Sequence, residues 1–279
     1  MDRSNTHILI TGCSSGIGFY CAKMLNKQGY KVVACCRLPK DTKRLTDIGI
    51  TAVTLDLANS DSIESGFDEA MQRLNHHIDI LFNNAAYGQT GAIEDLPTNA
   101  LREQFETNFF GWHHLTRLIL PLMIQQKSGR IIQNSSVLGL AALRYRGAYC
   151  ASKFALEGYT DTLRLELSNT PIRVILIEPG PINSNFRQNA KDVFLRTIDW
   201  QVSRHRKQYH ATLKRLGSSV PLNRHTLEPD AVYQCLLDAL NNPKPKIRYY
   251  VTRPTKLLAK ARRILPTRWL DRLLIKGGA

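Results

Sequence analysis

Short apolar runs alternate along the chain with longer amphipathic stretches. The apolar runs are rich in Val, Ile and Leu, and they predict seven β-strands, at residues 7–11, 31–36, 51–55, 78–83, 130–134, 172–178 and 247–251. The amphipathic stretches predict helices at residues 16–28, 60–74, 98–126, 148–167 and 228–240. Ser60 and Thr98 stand at the starts of two of these helices and are expected to be their N-caps.

Strands that alternate with helices are typical of β-α-β units, whose right-handed crossovers place helices on both faces of one sheet. The pattern therefore predicts an α/β fold of the Rossmann type, a doubly wound parallel sheet of about seven strands with helices on both faces. No internal repeat, low-complexity tract or linker divides the sequence, so residues 1–279 are expected to form a single domain.

The composition excludes an intrinsically disordered chain, because 43% of the residues are hydrophobic. Lys and Arg number 38 and Asp and Glu 23, which gives a net charge of +15. The excess lies in residues 184–227, with 9 basic and 2 acidic residues, and in residues 244–279, with 11 basic residues and one acidic residue. The rest of the chain is nearly neutral and no recognition motif accompanies the basic residues, so nucleic-acid binding is not expected.

Three absences in the sequence set further expectations. No apolar stretch reaches the roughly 18 residues of a membrane-spanning helix, and no signal-peptide pattern is present, so a cytoplasmic protein is expected. The six cysteines form no C-x-x-C pair and are expected to be reduced thiols. The eight histidines show no metal-ligand spacing, so no metal site is predicted.

A glycine-rich turn, T-G-C-S-S-G-I-G at residues 11–18, joins the first predicted strand to the first helix. Glycine lets backbone N–H groups and the helix N-terminus approach a pyrophosphate closely, so the turn predicts a dinucleotide site. Its spacing is G-x-x-x-G-x-G, and a turn without a ligand is the alternative. The residues predicted to contact the cofactor here are Gly12, Ser14, Ser15, Gly16, Ile17 and Gly18.

Three more segments follow strands at the edge where a dinucleotide would lie. Asp56, followed by Leu57, could accept a hydrogen bond from an adenine amino group. Asn83 and Ala85 belong to an N-N-A-A loop that could cover the adenosine ribose. The turn at residues 179–184 could lie beside the nicotinamide carboxamide; its predicted cofactor contacts are Pro179, Gly180, Ile182 and Ser184. Each segment alone could also be an ordinary turn.

The end of the second strand predicts NADP(H) over NAD(H). An acidic residue there binds the ribose 2′-hydroxyl of NAD, whereas an arginine accommodates the 2′-phosphate of NADP. Cys36 occupies the acidic position and Arg37 follows it. A guanidinium can bind phosphate oxygens in a bidentate way, although Arg37 could also be a solvated loop charge.

Tyr149 and Lys153 lie four residues apart and therefore on one face of a predicted helix. Ser136 follows the fifth predicted strand, and Asn108 lies within the predicted helix at residues 98–126. Carbonyl reduction needs a proton donor and a hydroxyl that orients the carbonyl oxygen, roles that suit Tyr149 and Ser136. Lys153 would lower the pKa of Tyr149, and Asn108 could anchor a water that passes protons to Lys153.

Together these motifs resemble the short-chain dehydrogenase/reductase family, in its single-domain branch with a T-G-x-x-x-G-I-G turn and a Y-x-x-x-K pair. The resemblance covers about residues 7–184, with Ala86 where the family has glycine in N-N-A-G. It implies that Asn108, Ser136, Tyr149 and Lys153 are the catalytic tetrad, and that Tyr149 and Lys153 also contact the cofactor. It also implies a substrate lid at residues 184–227 and pairing of copies into a homodimer or homotetramer.

Two segments are similar to particular branches of the family. Residues 11–18 and 149–158 are similar to hydroxysteroid and retinol dehydrogenases, whereas residues 247–252 and the basic tail are similar to bacterial NADP-dependent aldehyde reductases. In the expected lid, an apolar wall is predicted from Phe194, Trp200 and Tyr209, and a face toward water or an anionic substrate from Arg204, Arg206 and Lys207.

Residues 253–279 form a basic tail in which apolar residues recur at helical spacing on both sides of Pro266. A basic amphipathic helix that carries a tryptophan, here Trp269, is typical of a helix lying on a membrane surface. The alternative is that the apolar face packs on the protein's own body or on a partner subunit.

These expectations combine into an NADP(H)-dependent oxidoreductase that transfers hydride between nicotinamide and an aldehyde or ketone, or the matching alcohol, with an apolar substrate. Two alternatives stay open: a hydroxysteroid or retinol-type dehydrogenase that uses NAD(H), and a dinucleotide-sensing protein without catalysis. The sequence does not identify the substrate or the direction of the reaction.

Overall fold

The computed structural model describes residues 2–218 and 225–277, and seven parallel strands form its central sheet. The strands stand in the order β3-β2-β1-β4-β5-β6-β7. Their bounds are β1 His7–Thr11, β2 Lys31–Cys36, β3 Ala52–Thr54, β4 Ile80–Asn83, β5 Arg130–Asn134, β6 Arg173–Glu178 and β7 Arg248–Tyr250. The predicted doubly wound sheet is confirmed, and the strand order reverses between β1 and β4, where such folds bind their ligands.

Eleven α-helices surround the sheet in the described part of the chain. They are α1 Gly16–Lys27, α2 Pro39–Asp47, α3 Ser60–Arg73, α4 Thr98–Phe105, α5 Gly111–Gln126, α6 Gly147–Glu166, α7 Phe186–Thr197, α8 Arg206–Leu216, α9 Asp230–Asn241, α10 Arg253–Ile264 and α11 Thr267–Gly277. A π-helical turn, Glu106–Phe110, connects α4 to α5 within what the sequence predicts as one helix.

Both faces of the sheet are buried, as its apolar strands require. On one face α1 and α9 pack against the sheet, with Leu25 and Leu236 in a core that also contains Ile8 and Ile132. On the other face α3, α5 and α6 supply a second core, which includes Leu115 and many other fully buried side chains. The two cores pack against both faces of the sheet and so fix the position of its carboxyl edge, which carries the candidate site.

Several local features differ from the sequence prediction, which also lacks α7 and α8. Helix α2 is unpredicted, because it is strongly polar and buries only Leu45. Ser60 and Thr98 are the first residues of α3 and α4 rather than their N-caps. Asn59 caps α3 by accepting a hydrogen bond from the backbone N–H of Ser62, and Pro97 precedes α4. Each helix therefore begins at the residue predicted to be its cap, and the cap is the residue before it.

The segment after β6 folds into α7 and α8, which pack together over the loop that follows β4. Their small core contains Phe194, Tyr209 and Ile198 with Ala92 from that loop. The Tyr209 hydroxyl donates to a carboxylate oxygen of Asp95 at 2.5 Å and accepts from the backbone N–H of Ala92 at 2.7 Å. This pair of bonds anchors α8.

Among the described residues, no helix is both long enough and apolar enough to cross a membrane.

Candidate active site

The glycine turn after β1 is shaped by backbone contacts that exclude side chains. Gly12 has a φ of +72°, and a Cβ added to it would lie 2.5 Å from the Cα of Ala85. A Cβ on Gly18 would lie 2.3 Å from the carbonyl oxygen of Gly12. The turn therefore keeps an open backbone surface at the N-terminus of α1, as binding of a pyrophosphate requires.

Asn84 holds the glycine turn against the neighbouring strands, a role that the sequence analysis did not assign to it. Its side-chain amide donates to the carbonyl oxygens of Thr11 at 3.0 Å and Gly12 at 3.3 Å, and its side-chain oxygen accepts from Asn134 at 2.8 Å. The side chain of Asn83 is instead fully buried and donates to the hydroxyl of Thr116 at 3.3 Å. Asn83 thus supports the fold, while Asn84 shapes the cleft.

Two arginines stand near the expected ribose position at the end of β2. Arg37 is exposed directly after the strand. Arg44, on the unpredicted helix α2, donates to the carbonyl oxygen of Ser14 in the glycine turn. Its guanidinium also lies 5.9 Å from the ring centroid of Phe19. No sequence signal identified Arg44, because its helix was not predicted.

The other predicted cofactor positions border the same edge of the sheet. Asp56 is half-buried, and one of its carboxylate oxygens accepts from the backbone N–H of Ala58 at 3.0 Å. Leu57 is buried beneath it. In the turn after β6, the carbonyl of Pro179 accepts from the N–H of Val137 at 2.8 Å, which ties that turn to the segment after Ser136.

Gly16 and Ser184 bring the turns after β1 and β6 together. A Cβ on Gly16 would lie 3.0 Å from the Cβ of Ser184. Around them opens a cleft of about 810 Å³, whose lining includes Phe19, Gln188 and Asp230. Among the described residues, Gly16 is the one member of the glycine turn that lines this cleft, while Arg37, Arg44 and Tyr149 do not line it. The cleft therefore borders the glycine turn, and the surface expected to bind the pyrophosphate is the turn itself.

Tyr149 and Ser136 meet at the carboxyl end of β5. Tyr149 lies in the first turn of α6, and its phenol lies near the side chain of Ser136. The Ser136 hydroxyl also accepts from the backbone N–H of Leu138 at 3.1 Å. Burial raises the pKa of Tyr149 to about 12, and the nearby Ser136 side chain only partly opposes that rise. The phenol is therefore protonated at neutral pH and available as a proton donor.

Lys153 lies one helical turn after Tyr149 and is almost fully buried. Its Nζ donates to the carbonyl oxygen of Asn134 at 2.8 Å, and it lies 4.4 Å from the ring centroid of Trp112 and 5.8 Å from that of Tyr149. Burial lowers the pKa of Lys153 to about 7, while Glu157 opposes this shift. The amine can therefore gain or lose a proton near neutral pH.

Asn108 occupies the π-helical turn between α4 and α5 and is fully buried. Its side-chain oxygen accepts from the backbone N–H of Tyr87 at 3.1 Å, and its amide donates to the Tyr87 carbonyl at 3.0 Å. The amide also lies 3.4 Å from the hydroxyl of Ser152 on α6. Asn108 thus links the loop after β4 to the helix that carries Tyr149 and Lys153. π-helical turns of this kind occur frequently at functional sites.

Phe186 closes over the phenol of Tyr149, although the sequence analysis did not single it out. The two rings meet edge to face with centroids 5.4 Å apart.

The residues that were expected to line the substrate lid have other contacts. Phe194 and Tyr209, which were expected in an apolar wall, instead fill the small core between α7, α8 and the loop after β4, while Trp200 is half-buried against it. Arg204 pairs with Glu94 at 2.7 Å, whereas Arg206 and Lys207 are exposed.

The arrangement can bind a carbonyl or alcohol oxygen and exchange a proton with it. A hydroxyl and a phenol converge on one point, and an amine of adjustable charge lies on the same side of α6. The aromatic ring of Phe186 shields this point from water. General acid–base chemistry requires such groups within hydrogen-bond reach of one reacting atom.

The chain is similar in sequence to known dehydrogenases and reductases. A family model described as short chain dehydrogenase matches residues 6–193. An oxidoreductase of Escherichia coli K12, YbbO, whose activity is uncharacterized, is 39% identical over 267 residues, 96% of this chain and 93% of the relative. A 3-ketodihydrosphingosine reductase of Bacteroides thetaiotaomicron is 34% identical over 226 residues, 76% of this chain and 81% of the relative.

Two solved structures have the same fold. A short-chain dehydrogenase/reductase of Burkholderia phymatum in complex with NAD superposes with a TM-score of 0.78 at 24% identity, over 95% of this chain and 94% of its own. A short-chain dehydrogenase of Burkholderia cenocepacia in complex with NADP superposes with a TM-score of 0.76 at 23% identity, over 98% and 99%. At this identity the likeness shows the fold alone.

The buried amine of Lys153 predicts a pH-dependent cost to stability. The folded pKa of about 7 lies below the ordinary value of 10.5, so the folded state carries the full cost below pH 7 and loses it as the pH rises toward 10. We expect Lys153→Met to stabilise the cofactor-free protein at pH 6, by at most about 5 kcal/mol, and to lose this advantage at pH 10. Denaturant unfolding at both pH values measures it.

Lys23→Met, which alters an exposed lysine on α1, is the matched control and is expected to show no such pH dependence. A stability difference between the Lys153 variant and the wild type that is equal at pH 6 and pH 10 would contradict the lowered pKa.

Proposed function

Since the chain belongs to the short-chain dehydrogenase/reductase family, whose members act on CH–OH and carbonyl groups, we propose that it is an NADP(H)-dependent enzyme that reduces apolar aldehydes or ketones, or oxidises the matching alcohols. The observation that carries this proposal is the meeting of Ser136 and Tyr149 beside the buried amine of Lys153.

Each catalytic side chain has a task that follows from its surroundings. Ser136 and Tyr149 hold the substrate oxygen between their hydroxyls, and Tyr149 delivers its proton to that oxygen during reduction. When bound, the dinucleotide supplies hydride for reduction or accepts it in the reverse direction. For the reverse direction Tyr149 must act as a base, and a positive charge on Lys153 lowers its pKa toward that role. Asn108 holds the loop after β4 in a fixed position relative to α6 during the reaction.

NADP(H) is the proposed cofactor because the acidic position at the end of β2 carries no carboxylate and two arginines stand near it; the nearest carboxylate, Asp41 on α2, pairs with Arg44 at 3.5 Å. Cys36 is buried at the position where an acidic residue would bind a ribose hydroxyl. Arg37 is exposed beside it, and Arg44 reaches the glycine turn from α2. Two guanidiniums near one ribose favour a 2′-phosphate, which each can bind in a bidentate way.

An apolar substrate is supported by the groups around Tyr149. Phe186 covers the phenol, and a Cβ added to Gly88 would lie 2.8 Å from the Phe186 ring. The space above Tyr149 is therefore bounded by aromatic carbon. Arg204, a cation in the lid, is paired with Glu94 rather than free to bind an anionic substrate. The Bacteroides relative is named as a reductase of a keto compound, which agrees with a carbonyl substrate.

Two other functions have less support. An NAD(H)-dependent hydroxysteroid or retinol-type dehydrogenase would use the same four catalytic residues. Its cofactor, however, has no 2′-phosphate that would explain the two arginines near the ribose position. A dinucleotide-sensing protein without catalysis would have no need for Ser136 beside Tyr149 or for a buried Lys153.

We further propose a cytoplasmic homodimer or homotetramer that pairs through the helices following β4 and β5. Phe110 and Leu165 are large apolar residues exposed on these helices, which supports a partner there. The six cysteines are all free thiols, five of them buried, as is usual in a reducing compartment.

The tail helices α10 and α11 are proposed to contact an anionic membrane surface. Trp269, Leu273 and Ile275 are exposed on α11, with 62%, 48% and 54% of their surface accessible. Lys256, Lys260, Arg263, Arg268 and Arg272 are exposed around them. A second copy of this face would bring like charges together, whereas anionic lipid neutralises them and accepts the apolar side chains.

The tail also lies beside the catalytic segment. Arg262 of α10 donates to the carbonyl oxygen of Leu140 at 2.8 Å, a few residues after Ser136. Arg144, before Tyr149 in the chain, lies 3.4 Å from the carbonyl oxygen of Ile275 on α11. A membrane under α11 would therefore lie close to the segment between Ser136 and Tyr149. Apolar substrates partition into membranes and would be concentrated there.

Replacing Tyr149 by phenylalanine removes the proton donor but keeps the ring. We expect Tyr149→Phe to lower kcat for aldehyde reduction by about a thousandfold or more, because the general acid is lost. Binding of NADPH, measured by fluorescence titration, should change by no more than about threefold. Tyr159→Phe on the same helix, away from Ser136, should keep wild-type turnover. Wild-type turnover in the Tyr149 variant would reject the assignment.

Removing the charge of Arg37 is expected to reduce the preference for NADP(H). Arg37→Ser should lower kcat/KM for NADPH by about ten- to a hundredfold and leave kcat/KM for NADH nearly unchanged, because only NADPH carries the 2′-phosphate. Arg73→Ser, an exposed arginine on α3, is the control. Steady-state kinetics with both cofactors measure the change, and a wild-type preference for NADH would refute the cofactor proposal.

Vesicle flotation tests the tail. The full chain should float with vesicles of phosphatidylcholine mixed with phosphatidylglycerol, less with phosphatidylcholine alone, and less at high salt, because screening weakens the attraction. Trp269→Ser combined with Leu273→Ser should reduce flotation several-fold and leave turnover of a water-soluble aldehyde unchanged. Ile48→Ser, at an exposed apolar residue after α2, is the control. Equal flotation of the double variant and the wild type would refute the contact.

A further inference from the structure

A cluster of two histidines and one aspartate lies at the edge of the sheet opposite the candidate active site. His7 begins β1, and Asp79 directly precedes β4, so both lie at the amino ends of neighbouring strands. His77 is two residues before Asp79 and reaches the same place. The catalytic groups lie at the carboxyl ends of the strands, so this cluster is separate from them.

The imidazole of His7 is buried without a hydrogen bond. Only 7% of its surface is exposed, and neither ring nitrogen has a hydrogen-bond partner. Burying such polar atoms unpaired costs free energy, and buried polar groups in proteins are rarely left so. The ring points toward the other two side chains, with its Nδ1 3.7 Å from an oxygen of Asp79.

The spacing of the three side chains matches that of metal ligands. The Nε2 of His77 lies 3.1 Å from the Oδ1 of Asp79, and one ligand atom from each of the three residues lies within 4.8 Å of the others. In a tetrahedral zinc site with bonds of about 2.0 to 2.1 Å, neighbouring ligand atoms are about 3.3 Å apart. Small rotations of the side chains would therefore bring all three within bonding distance of one ion.

The carboxylate of Asp79 is already oriented for this role. Its Oδ2 accepts from the backbone N–H of His7 at 2.8 Å, which fixes the plane of the carboxylate. Its Oδ1 then faces His77. Metal-binding carboxylates are commonly held by a second hydrogen bond of this kind.

The charges around the cluster favour neutral imidazole. Burial, with Lys31 and His77 adding to it, lowers the pKa of His7, while Asp79 opposes this shift. A neutral imidazole is the form that binds a metal. Lys31 lies opposite His7 on β2 and is exposed, so its ammonium can extend into water when a cation binds.

We propose that His7, His77 and Asp79 form a binding site for a divalent zinc ion, with water completing a tetrahedral coordination sphere. Two imidazoles and one carboxylate are a ligand set that zinc accepts. The site joins the first strand of the fold to the strand beside it, so the ion stabilises the folded chain and takes no part in the reaction. Sequence spacing did not predict this site because His7 and His77 are 70 positions apart and meet only when β1 pairs with β4.

Zinc binding to the tag-free full chain tests the proposal. Titration calorimetry with zinc chloride is expected to show one ion per chain. At a free zinc concentration 100 times the Kd, binding adds about 2.7 kcal/mol to stability, which should raise Tm by roughly 5 °C or more. Cobalt, added in place of zinc, should give the visible absorption of a tetrahedral ion. Turnover with NADPH should not change, because the site lies at the opposite edge of the sheet.

Two adjacent histidines provide matched variants. His77→Asn should weaken zinc binding about tenfold or more and abolish the rise in Tm. His76→Asn should bind zinc as the wild type does, because His76 is exposed and outside the cluster, and asparagine tolerates its positive φ of 57°. Failure of the wild type to bind zinc, or wild-type affinity in the His77 variant, would overturn the proposal. Since the readouts are binding and Tm, either result is independent of whether the chain reduces a carbonyl.

Discussion

The side chain of Asn84 connects the glycine turn to the buried Lys153. It holds the carbonyl oxygens of Thr11 and Gly12 with its amide and receives a hydrogen bond from Asn134. The backbone carbonyl of Asn134 in turn accepts from Lys153. One amide therefore sets the distance between the glycine turn and α6. The close approach of Gly12 to Ala85 follows from the same contact, because any larger residue at Gly12 would displace the loop that carries Asn84.

Burial behind this junction sets the charges of Tyr149 and Lys153. Desolvation raises the pKa of Tyr149 to about 12, which keeps the phenol protonated, and lowers the pKa of Lys153 to about 7. One turn further along α6, Glu157 contacts Arg248, which also pairs with the fully buried Glu178. Burial and the neighbouring Glu157 raise the pKa of Glu178 to about 8. The interior behind Tyr149 therefore holds two groups, Lys153 and Glu178, whose pKa values burial moves toward neutral pH.

Features that depend on local pattern were predictable from the sequence. The apolar runs predict all seven strands, since a strand buried on both faces must be apolar, and the spacing of Tyr149 and Lys153 predicts their common helical face. Contacts between distant segments were not predictable. Arg44 reaches the glycine turn from a polar helix that buries one residue, and Phe186 meets Tyr149 only after the segment following β6 folds back. Asn83 and Asn84 are adjacent and chemically identical, so only the strand's orientation decides which one faces the cleft.

The π-helical turn that carries Asn108 has a consequence for how this region can change in evolution. Such a turn contains one residue more than an α-helical turn, so deleting any one residue of Glu106–Phe110 would restore a regular helix. Because the i→i+5 hydrogen bond of a π-helical turn closes one turn with the extra residue included, the deletion would leave α4 and α5 in nearly the same relative orientation. It would remove instead the widened turn from which Asn108 reaches Tyr87 and Ser152. The extra residue thus serves the position of one side chain rather than the path of the helix.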